Sequence, residues 1–188
     1  MILRRALAND LQAVVSLTTE AYAPYTALLG APPIPVTEDY APRIERGEVW
    51  LLESDGQLAG LIVLERHPDH AMIFSVAVAP AFQGRKLGIR LLDFADEQAR
   101  LWGLPEVRLY TNSRMERNIA LYSAYGYRET GRRGPIRIGR DGPWSTWPSR
   151  STKPPDQFEN WEEERWRAKE RSVPAWAAGP SSPGIRPS

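Results

Sequence analysis

Residues 71–78 form an apolar run, Ala-Met-Ile-Phe-Ser-Val-Ala-Val, which Pro80 stops and a glycine-bearing loop follows. A strand this apolar belongs inside a sheet with both faces covered. Beyond the loop, Leu91, Leu92, Ala95, Ala99 and Trp102 fall on one stripe of a helix over 88–102, which Gly103 ends. Residues 107–111 supply the next strand, so the unit is a βαβ crossover.

The flanks extend the sheet. Residues 2–7 read as a first strand, and Asp10 caps a helix with Leu11, Val14, Val15, Leu17 and Ala21 at helical spacing. Pro24, Pro32, Pro33 and Pro35 make 23–36 a loop with room for one helical turn. Residues 37–46 suit a short helix limited by Pro42. Strands over 49–53 and 58–65 are joined by Asp55-Gly56, a strong hairpin signal. After the crossover, 116–124 is a short helix stopped at Gly126, and 127–132 begins another strand. The predicted class is α/β, a mixed and mostly antiparallel central sheet with helices on both faces.

Length and composition bound the function. The 188 residues suit one domain, 1–134, with a tail over 135–188. A net charge of +1 gives no field to draw nucleic acid or an anionic membrane, so neither is expected as a partner. With no cysteine and two histidines, disulfides, a cysteine nucleophile and a metal centre are not expected. The start of the chain lacks a signal-like apolar run, and no stretch is long enough to span a bilayer. A cytoplasmic location is the expectation.

The chemistry concentrates in Val76-Ala-Val-Ala-Pro-Ala-Phe-Gln-Gly-Arg-Lys-Leu-Gly-Ile-Arg-Leu-Leu92. A buried strand ends, a loop rich in backbone donors follows, and a helix begins. Free N–H groups at a helix N-terminus bind anions. Gly84 and Gly88 let backbone approach a phosphate, and Arg85 and Lys86 add charge. The stretch is neither a Walker loop nor a dinucleotide fingerprint. On its own it fits a pyrophosphate site or an ordinary strand–turn–helix connection equally well.

The wider pattern separates these. Val-Ala-Val-Ala-Pro-x-x-Gln-Gly-x-x-x-Gly resembles motif A of the GNAT N-acetyltransferase superfamily. Asn118-Ile-Ala-Leu-Tyr122-Ser-Ala-Tyr125-Gly-Tyr127 resembles its motif B. The resemblance implies a GNAT-like fold and transfer of an acetyl group from acetyl-CoA to a primary amine of a small molecule or protein, by direct attack in a ternary complex. It implies that Gln83, Gly84, Arg85, Lys86, Leu87 and Gly88 hold the pyrophosphate, with Ile89 among the cofactor-binding residues. Val76, Ala77 and Val78 would pair with the pantetheine arm. Tyr122 would protonate the leaving thiolate. Asn112 and Asn118 compete for a further cofactor contact. Lys86 stands where the motif has glycine. Phe74 and Ser75 stand where many relatives carry a carboxylate or asparagine, which leaves Glu65, on the neighbouring strand, as the candidate base. The acceptor pocket is expected in 22–40, where Tyr22, Tyr25 and Tyr40 accompany Glu38 and Asp39. The alternatives are a catalytically weak acyl-CoA-binding module, or an interaction protein that uses the tail.

That tail holds nine of the 17 prolines and five of the seven tryptophans. It reads as largely disordered, with a capping-box helix over 156–171. Pro143-Trp-Ser-Thr-Trp-Pro-Ser stands where the family's last strand is expected, as in a frameshifted or otherwise altered end. The sheet is therefore expected to keep an unpaired edge, unless 135–139 improvises a strand. Such an edge would favour a homodimer.

Overall fold

The computed structural model describes residues 1–133 and 163–167. In chain order the elements are β1 (Ile2–Arg5), α1 (Leu11–Leu29), α2 (Ile34–Thr37), α3 (Tyr40–Glu45), β2 (Val49–Ser54), β3 (Gln57–Arg66) and β4 (Ala71–Val78). They continue with α4 (Leu87–Leu101), β5 (Val107–Asn112), α5 (Glu116–Tyr125), β6 (Arg128–Arg133) and β7 (Glu163–Arg167). One seven-stranded sheet runs β1-β2-β3-β4-β5-β7-β6. The β4–β5 pair is parallel and the other pairs are antiparallel.

Period-2 alternation builds a core on each face. Val49, Leu51, Leu61, Val63 and Ala77 face Val14, Leu17 and Tyr22 of α1 and Tyr40 and Ile44 of α3. Leu52, Ile62, Leu64, Ile73 and Leu109 face Leu87, Leu91, Leu92, Ala95 and Ala99 of α4, with Tyr122 of α5. Each fully covered Leu or Ile contributes about 1.5–3 kcal/mol, so the two stripes hold the layers together. Gly60 lets α4 settle close, because a Cβ there would lie 2.9 Å from the Ala77 carbonyl oxygen and 3.3 Å from Leu91 Cδ1.

Three expectations are corrected. Residues 23–29 are not loop, because α1 runs through Pro24 to Leu29. Pro24 removes the donor that the Glu20 carbonyl would take, but Tyr22 and Tyr25 on either side are held by tertiary hydrogen bonds. Glu163–Arg167 is strand rather than helix. Its local charge pairs suit a helix, yet the ladders offered by β5 and β6 override that preference. The missing last strand is thereby supplied from the tail. The gap that favoured pairing of two copies is filled within the chain. The expectations for 135–139, 143–149 and the remainder of 156–171 lie outside the described residues.

A buried cation ties α3 to the sheet. Arg43 is 8% exposed. It donates from Nε to Glu38 at 2.6 Å and from Nη1 to Glu48 at 2.9 Å and Glu65 at 2.7 Å. Its guanidinium lies 3.6 Å from the Phe74 ring centroid. Burial pushes the Glu65 carboxyl up, but the contacts with His67 and Arg43 outweigh it and hold it below the usual carboxylate range. The resulting stability is fully present above the unfolded carboxylate pKa of about 4.3 and is lost as pH falls through the lower folded value. Arg43→Ala takes the shared cation from three neighbouring carboxylates, leaving Glu48 to Arg46 and Glu65 to His67. It should cost about 3 kcal/mol in urea unfolding at neutral pH. The deficit relative to wild type should shrink as pH falls through the carboxylate range, because the contribution that Arg43 makes is lost there in wild type too. An unchanged urea midpoint, or a deficit that stays constant as pH falls, would remove this role.

Candidate functional site

Strands β4 and β5 pair over only three positions, Ala71–Val107, Met72–Arg108 and Ile73–Leu109. The cause of their parting is visible on the other side of β4. Val63 pairs Ser75 while Leu64 pairs Ile73, so Phe74 is an extra residue, a bulge that bends the strand. Ala79 N–H donates to the Ala59 carbonyl, so alternation turns the Ala77 peptide groups toward β3 and those of Val76 and Val78 toward the opening.

The opening is a cleft of about 1010 Å³. One wall is α1, with Ala21, Tyr22, Pro24, Tyr25 and Leu28. Another is the loop and first turn of α4, with Gln83, Gly84, Lys86, Leu87, Gly88 and Ile89. Facing it are Arg114, Arg117, Asn118, Leu121 and Tyr122, from the turn into α5 and from α5 itself. The helices lie on opposite sheet faces and meet through the slit, where Tyr25 donates to Asn118 Oδ1 at 2.7 Å. Tyr22 donates to the Val76 carbonyl, and its hydroxyl also lies 3.3 Å from Ser75 Oγ.

Most of the predicted residues converge here. Val76, Ala77, Val78, Gln83, Gly84, Lys86, Leu87, Gly88, Ile89, Asn118 and Tyr122 all line the cleft. Arg85 does not, and its guanidinium sits 5.0 Å from the Phe82 ring centroid. Asn112 is buried at the end of β5, where Oδ1 accepts from Arg114 N. Of the two asparagines it is therefore Asn118 that faces the cleft. Glu65 is held by Arg43 and His67 and is absent from the lining. Glu38 also binds Arg43, and Asp39 caps α3 at Ala41 N. Tyr40 is buried, donates to the Pro35 carbonyl and is pushed up to about 12 by burial. Of the expected acceptor stretch, Tyr22 and Tyr25 reach the cleft. Leu121, Arg114 and Arg117 were not anticipated. For Leu121 and Arg117 the signal was their own i, i+4 spacing beside that of Asn118 and Tyr122; Arg114 lies before the helix and had none.

Two groups have unusual electrostatics. Burial raises the Tyr122 phenol far above its ordinary value, and the neighbouring Tyr22 and Tyr25 add to this. It therefore stays protonated at neutral pH. The first turn of α4 has no side-chain cap and no acidic residue, so the N–H groups of Leu87, Gly88 and Ile89 keep their pull on an anion.

Lys86 precedes that turn at φ 59° and ψ 18°, the left-handed conformation that glycine adopts freely. The strain is about 1 kcal/mol for a residue with a Cβ. Lys86→Gly should raise unfolding stability by about that amount, and Lys86→Val should lower it. A glycine variant less stable than wild type would contradict this backbone assignment.

The profile of the acetyltransferase (GNAT) family matches residues 14–127. The chain is 31% identical over 87 residues to the [ribosomal protein bS18]-alanine N-acetyltransferase of Salmonella typhimurium. That match spans 45% of this chain and 59% of the relative. The crystal structure of the ribosomal-protein-S18-alanine N-acetyltransferase from Escherichia coli superposes with a TM-score of 0.65 at 20% identity, over 93% of this chain and 96% of that one. The PaiA N-acetyltransferase from Thermoplasma acidophilum, solved with coenzyme A, gives 0.63 at 16% identity, over 89% and 98%. At such identities the likeness is one of fold. The split sheet, the uncapped α4 turn and the family match over residues 14–127 agree, and the chain belongs to the acetyltransferase (GNAT) family.

Proposed function

We propose that this chain transfers the acetyl group of acetyl-CoA to a primary amine of a small molecule or protein, by direct attack in a ternary complex. The observation that carries the reading is a single cleft lined by the free edge of β4, the uncapped α4 turn and Tyr122. A thioester whose long arm leads to a pyrophosphate needs all three. The 83–88 loop and the first α4 N–H groups receive the pyrophosphate. The peptide groups of Val76 and Val78 receive the pantetheine arm as a missing strand would be received. Asn118 faces that arm from α5. Holding both ends orients the thioester toward Tyr122.

The bond changes are simple. The amine nitrogen bonds the thioester carbon, and the carbon–sulfur bond breaks with its electron pair left on sulfur. The Tyr122 phenol gives its proton to the thiolate, and the surplus proton of the acylated nitrogen restores the phenol. Glu65 has no part in this scheme, because Arg43 and His67 occupy its carboxylate. The name of the Salmonella relative specifies an alanine amine of a ribosomal protein, which supports counting protein amines among the acceptors. A cytoplasmic location goes with that reading. Among the described residues no helix is long and apolar enough to cross a membrane.

Calorimetric titration tests the ligand. Wild type should bind acetyl-CoA and free CoA, and Gly88→Glu should not. A Cβ at Gly88 meets only Leu121 Cδ2, at 3.5 Å, so the variant folds and places a carboxylate in the cleft. Tyr122→Phe should keep acetyl-CoA affinity and lose about 10²–10⁴-fold in thiol release with reactive amines. A folded wild type that binds neither ligand would overturn the reading. Full turnover by Tyr122→Phe would remove Tyr122 as the acid.

A further inference from the structure

The two sides of the slit differ in charge. The charged residues of the cleft lining are Lys86, Arg114, Glu116 and Arg117, and they stand at the start of α4, in the turn into α5 and in its first turn. The α1 wall contributes Ala21, Tyr22, Pro24, Tyr25 and Leu28, none of them charged. Glu20, the charged residue of α1, is exposed and absent from the lining.

The carboxylates expected to serve a cationic acceptor are committed elsewhere. Glu38 binds Arg43, Asp39 caps α3, and Glu65 lies between Arg43 and His67. Burial holds the Tyr22 and Tyr25 phenols above their ordinary value, so both stay neutral. Among the described residues this wall therefore offers a cation no counter-charge. Leu28 meanwhile stays 45% exposed on it. An aliphatic side chain left uncovered on a cleft wall gains by meeting another apolar surface there.

The fold decides which substrate meets that wall. Helix α1 covers one sheet face, and α4 with Tyr122 of α5 covers the other. In the acetyl-CoA reading the pyrophosphate occupies the α4 side, and the arm runs along β4 facing Asn118. The amine then reaches the thioester carbon from the side left open, which is that of α1.

We infer that the acceptor is a primary amine with no second positive charge, carried on an aliphatic or aromatic body, and that Leu28 sets this preference. This rests on the acetyl-CoA reading and narrows its acceptor. The reacting amine sheds its own charge to become a nucleophile. A second ammonium would leave water for a wall without a carboxylate, which is costly, whereas a methyl group in its place gains burial against Leu28. A small monoamine offers this chemistry, and so does the amino terminus of a peptide whose first side chain is apolar.

The test measures thiol release from acetyl-CoA by the full chain with two matched pairs of amines. Hexylamine and cadaverine are equal in length and exchange a terminal methyl for an ammonium. Leucyl-glycyl-glycine and arginyl-glycyl-glycine make the corresponding exchange on a peptide. Wild type should favour the apolar member of one pair or both by about ten-fold or more in kcat/KM, and the pair that turns over identifies the source. Leu28→Glu places a carboxylate on the wall, and the exposed position lets the variant fold. There the preference should shrink about ten-fold, through KM rather than kcat. Calorimetry with acetyl-CoA accompanies each measurement. Suppose wild type binds acetyl-CoA but favours a cationic member, discriminates in neither pair or turns over no amine. The inference is then overturned and the acetyl-CoA reading stands. A preference unmoved in Leu28→Glu would overturn the role of Leu28. Wild type that fails to bind acetyl-CoA would defeat that reading, and this inference with it.

Discussion

The parting of β4 and β5 after Ile73 and Leu109 is the constraint on which the site depends. Two parallel strands that stayed paired would satisfy each other's peptide groups and leave no cleft. The extra residue at Phe74 bends β4 while the β3 ladder resumes beyond it, so the strand keeps one partner and gives up the other. The peptide groups of Val76 and Val78 then line a gap rather than a ladder. Tyr22 and Tyr25 reach that gap from one sheet face, and Asn118 and Tyr122 from the other. The bulge is itself fixed from outside, because the Arg43 guanidinium covers the Phe74 ring while binding carboxylates from its own helix side and from β3.

Charge is distributed by the same logic. Away from the cleft, cations are neutralised where they hold elements together: Arg4 joins β1 to Asp10 and Glu53, and Arg43 joins α3 to β3. At the cleft, Lys86, Arg114 and Arg117 are exposed and, among the described residues, lie in no ion pair. Lys86 carries a further cost, a left-handed backbone with a Cβ, at the position where the α4 turn opens toward the cleft. Local strain beside a run of free N–H groups is consistent with a loop shaped for a ligand rather than for stability alone.

Much of this was legible in the sequence because it is local. The apolar alternation of β2 to β4, the Asp55-Gly56 hairpin, the α4 stripe and the 83–88 loop each follow from neighbours within a few residues. What failed depends on distant partners. Pro24 reads as a helix breaker, yet α1 continues, with Tyr25 held by Asn118 from across the sheet. Glu65 looks like a free carboxylate near the motif until Arg43 arrives from α3. Asn112 and Asn118 are equivalent as residue types and differ only in where the fold puts them, Asn112 buried at the end of β5 and Asn118 facing the cleft from α5. Glu163–Arg167 has helix-favouring charge spacing, and only the open ladders of β5 and β6 make it a strand.

The measurement that tests the central claim most directly is amide hydrogen exchange at Val76 and Val78, with and without acetyl-CoA. If the gap left by β5 is where the thioester arm lies, both amides exchange readily in the free protein and become protected when acetyl-CoA binds. The β3-facing Ala77 amide should be protected in both states. Strong protection of Val76 and Val78 without ligand would contradict the account, as would binding of acetyl-CoA that leaves their exchange unchanged.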